Sequence, residues 1–261
     1  MSINQTSNPS LIERLFNAGS HFGFSKTRRH PSVSKYIFTN KEGTDIFDLE
    51  KTSVLLENAK ASLMEAGKEG KNILFVSTKD EASKYVTDAA TKVSMPYVTN
   101  RWIGGMLTNY SEIKKRIDRL KKLTTERESG ELDRKYTKKE RVIIGREITK
   151  LQFNFGGITT MDKMPSFVLV VDPRHDSIAV QEANDMGIPV IAIMSSDCDT
   201  KKVTYPVVVN DAQKASINLA LEELTNAYLE GNKSYVAPVI NRNRSDRSDR
   251  PIRRNESSVQ R

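Results

Sequence analysis

Short apolar runs alternate with amphipathic stretches along most of the chain. Ile73 to Ser77 reads as a buried strand and Lys79 to Ala90 as the helix that follows it. Pro96 to Thr99 is a second short strand, and Phe167-Val-Leu-Val-Val171 is a third. Pro189 to Ile193 and Pro206 to Val209 supply two more. The stretch from Asp176 to Met186 is predicted to be helical. Asp176 stands where an N-cap is wanted, Gly187 where a left-handed C′ residue is wanted, and Pro189 forbids continuation. A closing helix from Ala212 to Leu229 places Ile217, Leu221, Leu224 and Tyr228 on one face. Uninterrupted Val/Ile/Leu strands separated by helices predict a parallel sheet covered on both faces, an α/β, doubly wound body.

Residues 108 to 155 interrupt this alternation. Tyr110, Ile113, Ile117 and Leu120 are spaced three, four and three, and Ile144, Ile148, Leu151 and Phe155 four, three and four. Both seams are narrow and coiled-coil-like, and a polar, Gly-containing stretch around Glu128 to Lys135 separates them. The pattern predicts an antiparallel helical hairpin inserted into the α/β body. Arms of ~18 residues would be ~27 Å long and would project from it. Two ordinary covering helices satisfy the same spacing. The expected organisation is a disordered N-terminus over 1–8, an α/β body over 9–107 and 156–231, the hairpin over 108–155 and a basic disordered tail over 232–261. The tail repeats Arg, Ser and Asp through Arg244-Ser-Asp-Arg-Ser-Asp-Arg250, a composition that cannot bury a core of its own.

The placement of charge sharpens this picture. The net charge of +8 is not spread evenly. Residues 111–150 carry 14 Lys+Arg against 8 Asp+Glu, and residues 233–261 carry 8 against 3. The rest of the chain holds 19 against 22 and is mildly acidic. Positive charge concentrated on two appendages predicts limbs that reach a polyanion from a body that need not bind one everywhere. The longest apolar runs are far below the ~20 residues of a membrane helix. Met1 to Ser10 is polar and does not read as a signal peptide. The single cysteine, Cys198, excludes an internal disulfide and a cysteine-based zinc cluster. A cytoplasmic protein of a reducing compartment is expected.

Catalytic patterns are not found. Gly104-Gly105 and Gly156-Gly157 lack the spacing of a phosphate-cradling loop. His21, His30 and His175 form no metal pair at helical spacing, and Cys198 has no sequence-local histidine to activate it. Asp197, Asp199 and Asp211 fall at predicted strand ends, where such sheets hold ligands. A hard cation or a set of loop caps would each explain them, and caps do so more simply. The expectation is no enzyme, no cofactor and no metal, although an α/β fold alone fixes no function.

Three segments carry a resemblance. They are Ala18-Gly-Ser-His-Phe-Gly23, continuing to Tyr36-Ile-Phe38 and Ile46-Phe-Asp-Leu-Glu-Lys-Thr52; Asn100-Arg-Trp-Ile-Gly-Gly-Met-Leu-Thr-Asn-Tyr110; and Met161-Asp-Lys-Met-Pro165 with Ile188-Pro-Val-Ile-Ala-Ile193 and Asn210-Asp211. In order and spacing, from about residue 9 to 231, the chain resembles the bacterial-type small-subunit ribosomal protein S-two family. That resemblance implies a Rossmann-like (flavodoxin-like) body with a protruding helical hairpin. It also implies binding to small-subunit rRNA between head and body, neighbouring small-subunit ribosomal proteins as partners, and in many bacteria a role in docking the large protein S-one. The chain departs from the pattern at Phe24, where a second histidine is usual, and at Arg29 and His30, which replace a Trp-Asn pair. Val209 replaces a glycine, and Ala212 stands where a second aspartate is common.

Phosphate contacts by Lys and Arg supply RNA affinity through counterion release, with no reading of sequence. The expected contacts are Lys26, Arg28, Arg29 and Lys35 in the loop after the His21 motif, with Tyr36 as a stacking surface. Arg101 ahead of the glycine pair and Lys114, Lys115, Arg116 and Arg119 on the first hairpin arm complete the set. Trp102 is expected in the core in preference to a base stack, and Gly104-Gly105 is expected to allow a tight passage. Reversing Arg28 and Arg29 should weaken RNA binding and leave stability nearly unchanged; the alternative, that these arginines pair with the acidic body, also predicts little change in stability, so RNA affinity decides between them.

Overall fold

The computed structural model describes residues 10–235; the expected disordered N-terminus and nearly all of the expected tail lie outside the described residues. Five parallel strands form the central sheet: β4 (Ile73–Val76), β5 (Tyr97–Val98), β6 (Phe167–Val171), β7 (Val190–Met194) and β8 (Tyr205–Val208). Their spatial order is β5-β4-β6-β7-β8. Read in chain order within the sheet this is 2-1-3-4-5, a doubly wound order whose direction reverses between β4 and β6. The five strands match the five apolar runs of the sequence to within a residue or two.

Alternation across the sheet sorts the core into two layers. Phe75, Leu169 and Ile191 lie in register and face one side, while Val76, Val170 and Ala192 face the other. The first side is covered by α2 (Leu49–Lys68), α3 (Asp80–Lys92) and α8 (Lys214–Asn232), through Leu56, Leu63, Val86, Ile217, Leu221, Leu224 and Tyr228. The second is covered by α7 (Ser177–Asp185), through Ala179, Val180 and Ala183, together with Trp102, Met106 and Leu107. α2 and α8 approach so closely that a Cβ on Gly67 would lie 2.4 Å from the Tyr228 carbonyl oxygen. One on Gly231 would lie 2.0 Å from the Met64 carbonyl oxygen, so both positions need glycine.

A second, antiparallel sheet precedes the parallel one, and no apolar run in the sequence predicts it. After α1 (Leu11–Asn17), strands β1 (Phe22–Ser25), β2 (Ile37–Lys41) and β3 (Thr44–Phe47) pair antiparallel in the order β1-β3-β2. Phe47 and Val33 anchor this sheet to the core, whereas Phe38 points to solvent. The expected side-chain cap of α7 is absent. Asp176 occupies the N-cap position but makes no side-chain cap. Its carboxylate accepts from the Thr78 amide at 2.9 Å and the Thr78 hydroxyl at 2.7 Å, tying α7 to the loop after β4. Gly187, with φ 67°, ends α7 as expected. α8 runs to Asn232, so its last residue is the first of the expected tail.

Between β5 and β6 lie α4 (Tyr110–Glu128), a short α5 (Glu131–Lys135) and α6 (Lys138–Phe155). Thr137 and Glu140 form a capping box at the start of α6. Ile113 and Ile117 of α4 share the body's cluster with Phe155 of α6, while Leu120 and Leu123 pack with Leu132, Ile144 and Ile148. Arg119 and Glu147 pair across the two helices at 3.2 Å. Tyr110, the first seam residue, is half-buried and donates its hydroxyl to the Met161 carbonyl oxygen.

Candidate nucleic-acid interface

The loop from Lys26 to Tyr36, between β1 and β2, holds two 3-10 turns, Lys26–Arg28 and Pro31–Tyr36. Its base is held by the body. The His30 amide donates to the Ser196 carbonyl oxygen at 2.8 Å, the Phe24 amide to the Ser196 hydroxyl at 3.0 Å, and the Thr200 amide to the Ser32 hydroxyl at 3.0 Å. Val33 is fully buried beneath it. Lys26, Arg28 and Lys35 are exposed on this rigid base. Arg28 lies over the Phe24 ring at 5.7 Å and Lys35 over the Tyr36 ring at 4.9 Å. Each pair offers a cation beside an aromatic face, the chemistry of phosphate contact and base stacking.

Arg29 turns away from this group. Its guanidinium grips the fully buried carboxylate of Asp45 with two hydrogen bonds, Nε to Oδ2 at 2.8 Å and Nη2 to Oδ1, and Asn40 adds a third at 2.9 Å. The guanidinium holds the Asp45 carboxyl below the usual carboxylate range, and Asp45 in turn raises the Arg29 pKa. Arg29 thus takes the other course the sequence left open, pairing within the body, and is not a solvent-facing cation equivalent to Arg28. Their places in sequence are adjacent, but one side chain is structural and the other is exposed.

Arg101 is exposed on the loop after β5 and borders a cavity with Thr78, Trp102 and His175. Trp102 itself is core, as expected, and its ring nitrogen reveals an arrangement that periodicity did not signal. Five donors converge on the buried carboxylate of Glu182 in α7. They are Trp102 Nε1 at 3.1 Å, the amides of Gly105, Leu107 and Thr108 at 2.8, 3.0 and 3.2 Å, and the Thr108 hydroxyl at 3.3 Å. Burial works against the charge, but the amides of Leu107 and Gly105 and the Trp102 indole outweigh it and lower the pKa. Thr108 lies two residues before α4, so this anchor fixes how the chain enters that helix. The signal was a glutamate beside Ala179, Val180 and Ala183 on the apolar face of α7.

On α4, Lys114, Lys115, Arg116 and Arg119 are all exposed. Lys115 pairs with Glu112 and Arg119 with Glu147. Neither Lys114 nor Arg116 has an ion-pair partner among the described residues. The loop cations and the α4 cations therefore form two groups, and both rise from the same apolar cluster, through Val33 and Tyr36 on one side and Ile113 and Ile117 on the other.

The three aspartates at the strand ends do not act together. Asp197 pairs with Arg174 at 2.8 Å, and Asp199 accepts from the Lys201 amide at 3.0 Å as a cap. Asp211 instead lies with Asp172 and Cys198, the potential ligand atoms within 4.8 Å of one another. The Lys79 ammonium already supplies positive charge there, 3.0 Å from Asp172 and 3.5 Å from Asp211. Burial and the neighbouring Asp172 push Asp211 up to about 7, and burial likewise pushes the Cys198 thiol up, which suppresses its nucleophilic thiolate.

A profile of the family described as ribosomal protein S2 matches residues 15–231. Among curated relatives, the small ribosomal subunit protein uS2 of Fusobacterium nucleatum is 40% identical over 222 residues, covering 85% of this chain and 90% of its own. The uS2 of Dictyoglomus thermophilum is 42% identical, covering 85% and 89%, and that of Sulfurimonas denitrificans 43%, covering 84% and 85%. Matched along nearly the whole described body and most of each relative, the chain belongs to the ribosomal protein S2 family, whose members are structural components of the ribosome and not enzymes.

Proposed function

We propose that this protein is a structural constituent of the small ribosomal subunit that binds small-subunit rRNA at the junction of head and body, acting in translation at the cytoplasmic ribosome. The observation that carries the reading is the division of cations on the loop and its neighbours. Arg29 is drawn inward to organise the loop, while Lys26, Arg28 and Lys35 stand exposed on a base bonded to the body. Arg101 on the loop before α4 and Lys114 and Arg116 on α4 extend the cationic surface, with Lys115 and Arg119 beside them in ion pairs with Glu112 and Glu147. In this reading α4 to α6 form an antiparallel hairpin that leaves the body as an arm and lies along the subunit. The basic segment 233–261, nearly all of it outside the described residues, adds positive charge for RNA. Neighbouring small-subunit proteins complete the site, and S-one docks here where the organism has it.

Replacing Lys26, Arg28 and Lys35 by Glu tests the reading. The parent should sediment with small subunits through a high-salt wash. The triple variant should bind small-subunit rRNA more weakly, with a slope of log affinity against log salt reduced by up to about one unit per lost phosphate contact. An unchanged affinity and slope would remove this loop from the interface.

A further inference from the structure

The outer face of α6 differs from the rest of the charged surface. Val142, Ile143 and Phe153 are 51%, 56% and 56% exposed, whereas α4 shows no large apolar side chain of comparable exposure among the described residues. At 100° per residue these three fall on one face with Lys139, Arg146 and Lys150, opposite the buried Ile144, Ile148 and Phe155. All six lie within α6, and the three cations have no carboxylate at ion-pair distance among the described residues. Arg119 and Glu147 neutralise each other between the helices and leave this face to the cations.

We propose that this face docks an acidic amphipathic segment of a neighbouring protein of the small subunit, while the outer face of α4 meets RNA; the inference rests on the small-subunit reading above. A phosphate backbone satisfies Arg146 and Lys150 but offers nothing to the branched side chains of Val142 and Ile143. A protein helix with carboxylates flanking an apolar row satisfies both sets. Val142 to Phe153 spans ~17 Å at 1.5 Å per residue, the length of about three turns of such a helix. A patch of this size is well below a stable free-standing interface of roughly 800 Å² per partner, so it works as a local contact within an assembled particle.

The full chain tests this in three forms: the parent, a Val142→Ser, Ile143→Ser, Phe153→Ser variant and an Arg146→Glu, Lys150→Glu variant. Each is titrated against protein-free small-subunit rRNA and against small subunits assembled without this chain. The serine variant should keep the parent's affinity for bare rRNA and its melting temperature, and should lose roughly tenfold or more in affinity for the protein-containing subunits. The charge variant should lose affinity for the subunits by a similar factor. A photo-crosslinking residue at position 150 should attach to an acidic stretch of a subunit protein. Crosslinking to rRNA or to a second copy of this chain, or equal subunit affinity for serine variant and parent, overturns the proposal. If the parent binds neither rRNA nor subunits, the small-subunit reading fails first; if it binds both and the serine variant matches it, only the docking face fails.

Discussion

The indole Nε1 of Trp102 donates to Oε1 of Glu182 at 3.1 Å, 80 residues away in sequence. This bond explains why a tryptophan precedes α4. The indole, three amides and a hydroxyl wrap a single carboxylate, and the close approach is possible because Gly105 takes φ 89°. The loop is shaped around an anion supplied by its own chain.

Replacing Glu182 by Gln should therefore cost on the order of 3 kcal/mol, because an amide group would point at donors and each lost charged hydrogen bond is worth about 1.5–3 kcal/mol. Denaturant unfolding at neutral pH measures this. The folded-state pKa of Glu182 is depressed, so its contribution is present above the unfolded value, ~4.3, and fades as pH falls through the lower folded value. The gap between parent and variant should narrow in that acid window. A gap independent of pH would show that packing, and not charge, is at stake.

Arg28 and Arg29 should separate cleanly. Arg28→Glu should leave the unfolding free energy within the scatter of surface changes, about ±0.5 kcal/mol. Arg29→Met strands the fully buried Asp45 carboxylate without its partner and should cost on the order of 3 kcal/mol. Adding Asp45→Asn to Arg29→Met should recover part of that loss. Equal stability of the two single variants would contradict the assigned pairing.

Gly231→Ala should destabilise the body by about 1–3 kcal/mol or more, because the new Cβ meets a backbone carbonyl that cannot rotate away. Gly104→Ala has open space at its Cβ and serves as the control, with a small effect expected. Thermal unfolding of the two variants side by side decides the point.

Asp211 should give the protein an unusual pH response. Its folded pKa is raised to about 7, above the unfolded ~3.9, so the folded state binds more protons between those values. Stability then falls as pH rises through that window, by an amount of the order of a few kcal/mol. Asp211→Asn should flatten the fall, seen as a smaller stability difference between pH 4.5 and pH 8 in urea unfolding. A variant with the parent's pH slope would place the titration elsewhere.

The parallel sheet was legible because strands buried on both faces read as unbroken Val/Ile/Leu runs, and each run appeared within a residue or two of its strand. The seams of α4 and α6 were legible for a similar reason, since Ile113, Ile117, Ile144 and Ile148 are buried at fixed spacing. The β1–β3 sheet was not, because its strands are short and partly exposed, and their pairing is bulged. The roles of Arg29 and Glu182 were hidden for another reason. A charged residue in a sequence reads as solvent-facing, and only the fold brings Asp45 to one and the amides of residues 105–108 to the other.

Asp176 has a consequence that concerns competition. β4 and β6 flank the place where a sheet of this order diverges and where such folds hold anionic ligands. At the end of β4 the Thr78 amide and hydroxyl already receive both oxygens of the Asp176 carboxylate. A carboxylate held in place by the fold competes as an intramolecular ligand, at a high effective concentration. A diffusing phosphate must displace that resident anion, and the nearby Lys79 ammonium is already paired with Asp172. The strand-end position that such folds offer to a diffusing anion is thus filled by a carboxylate of the chain itself, which joins α7 to the sheet.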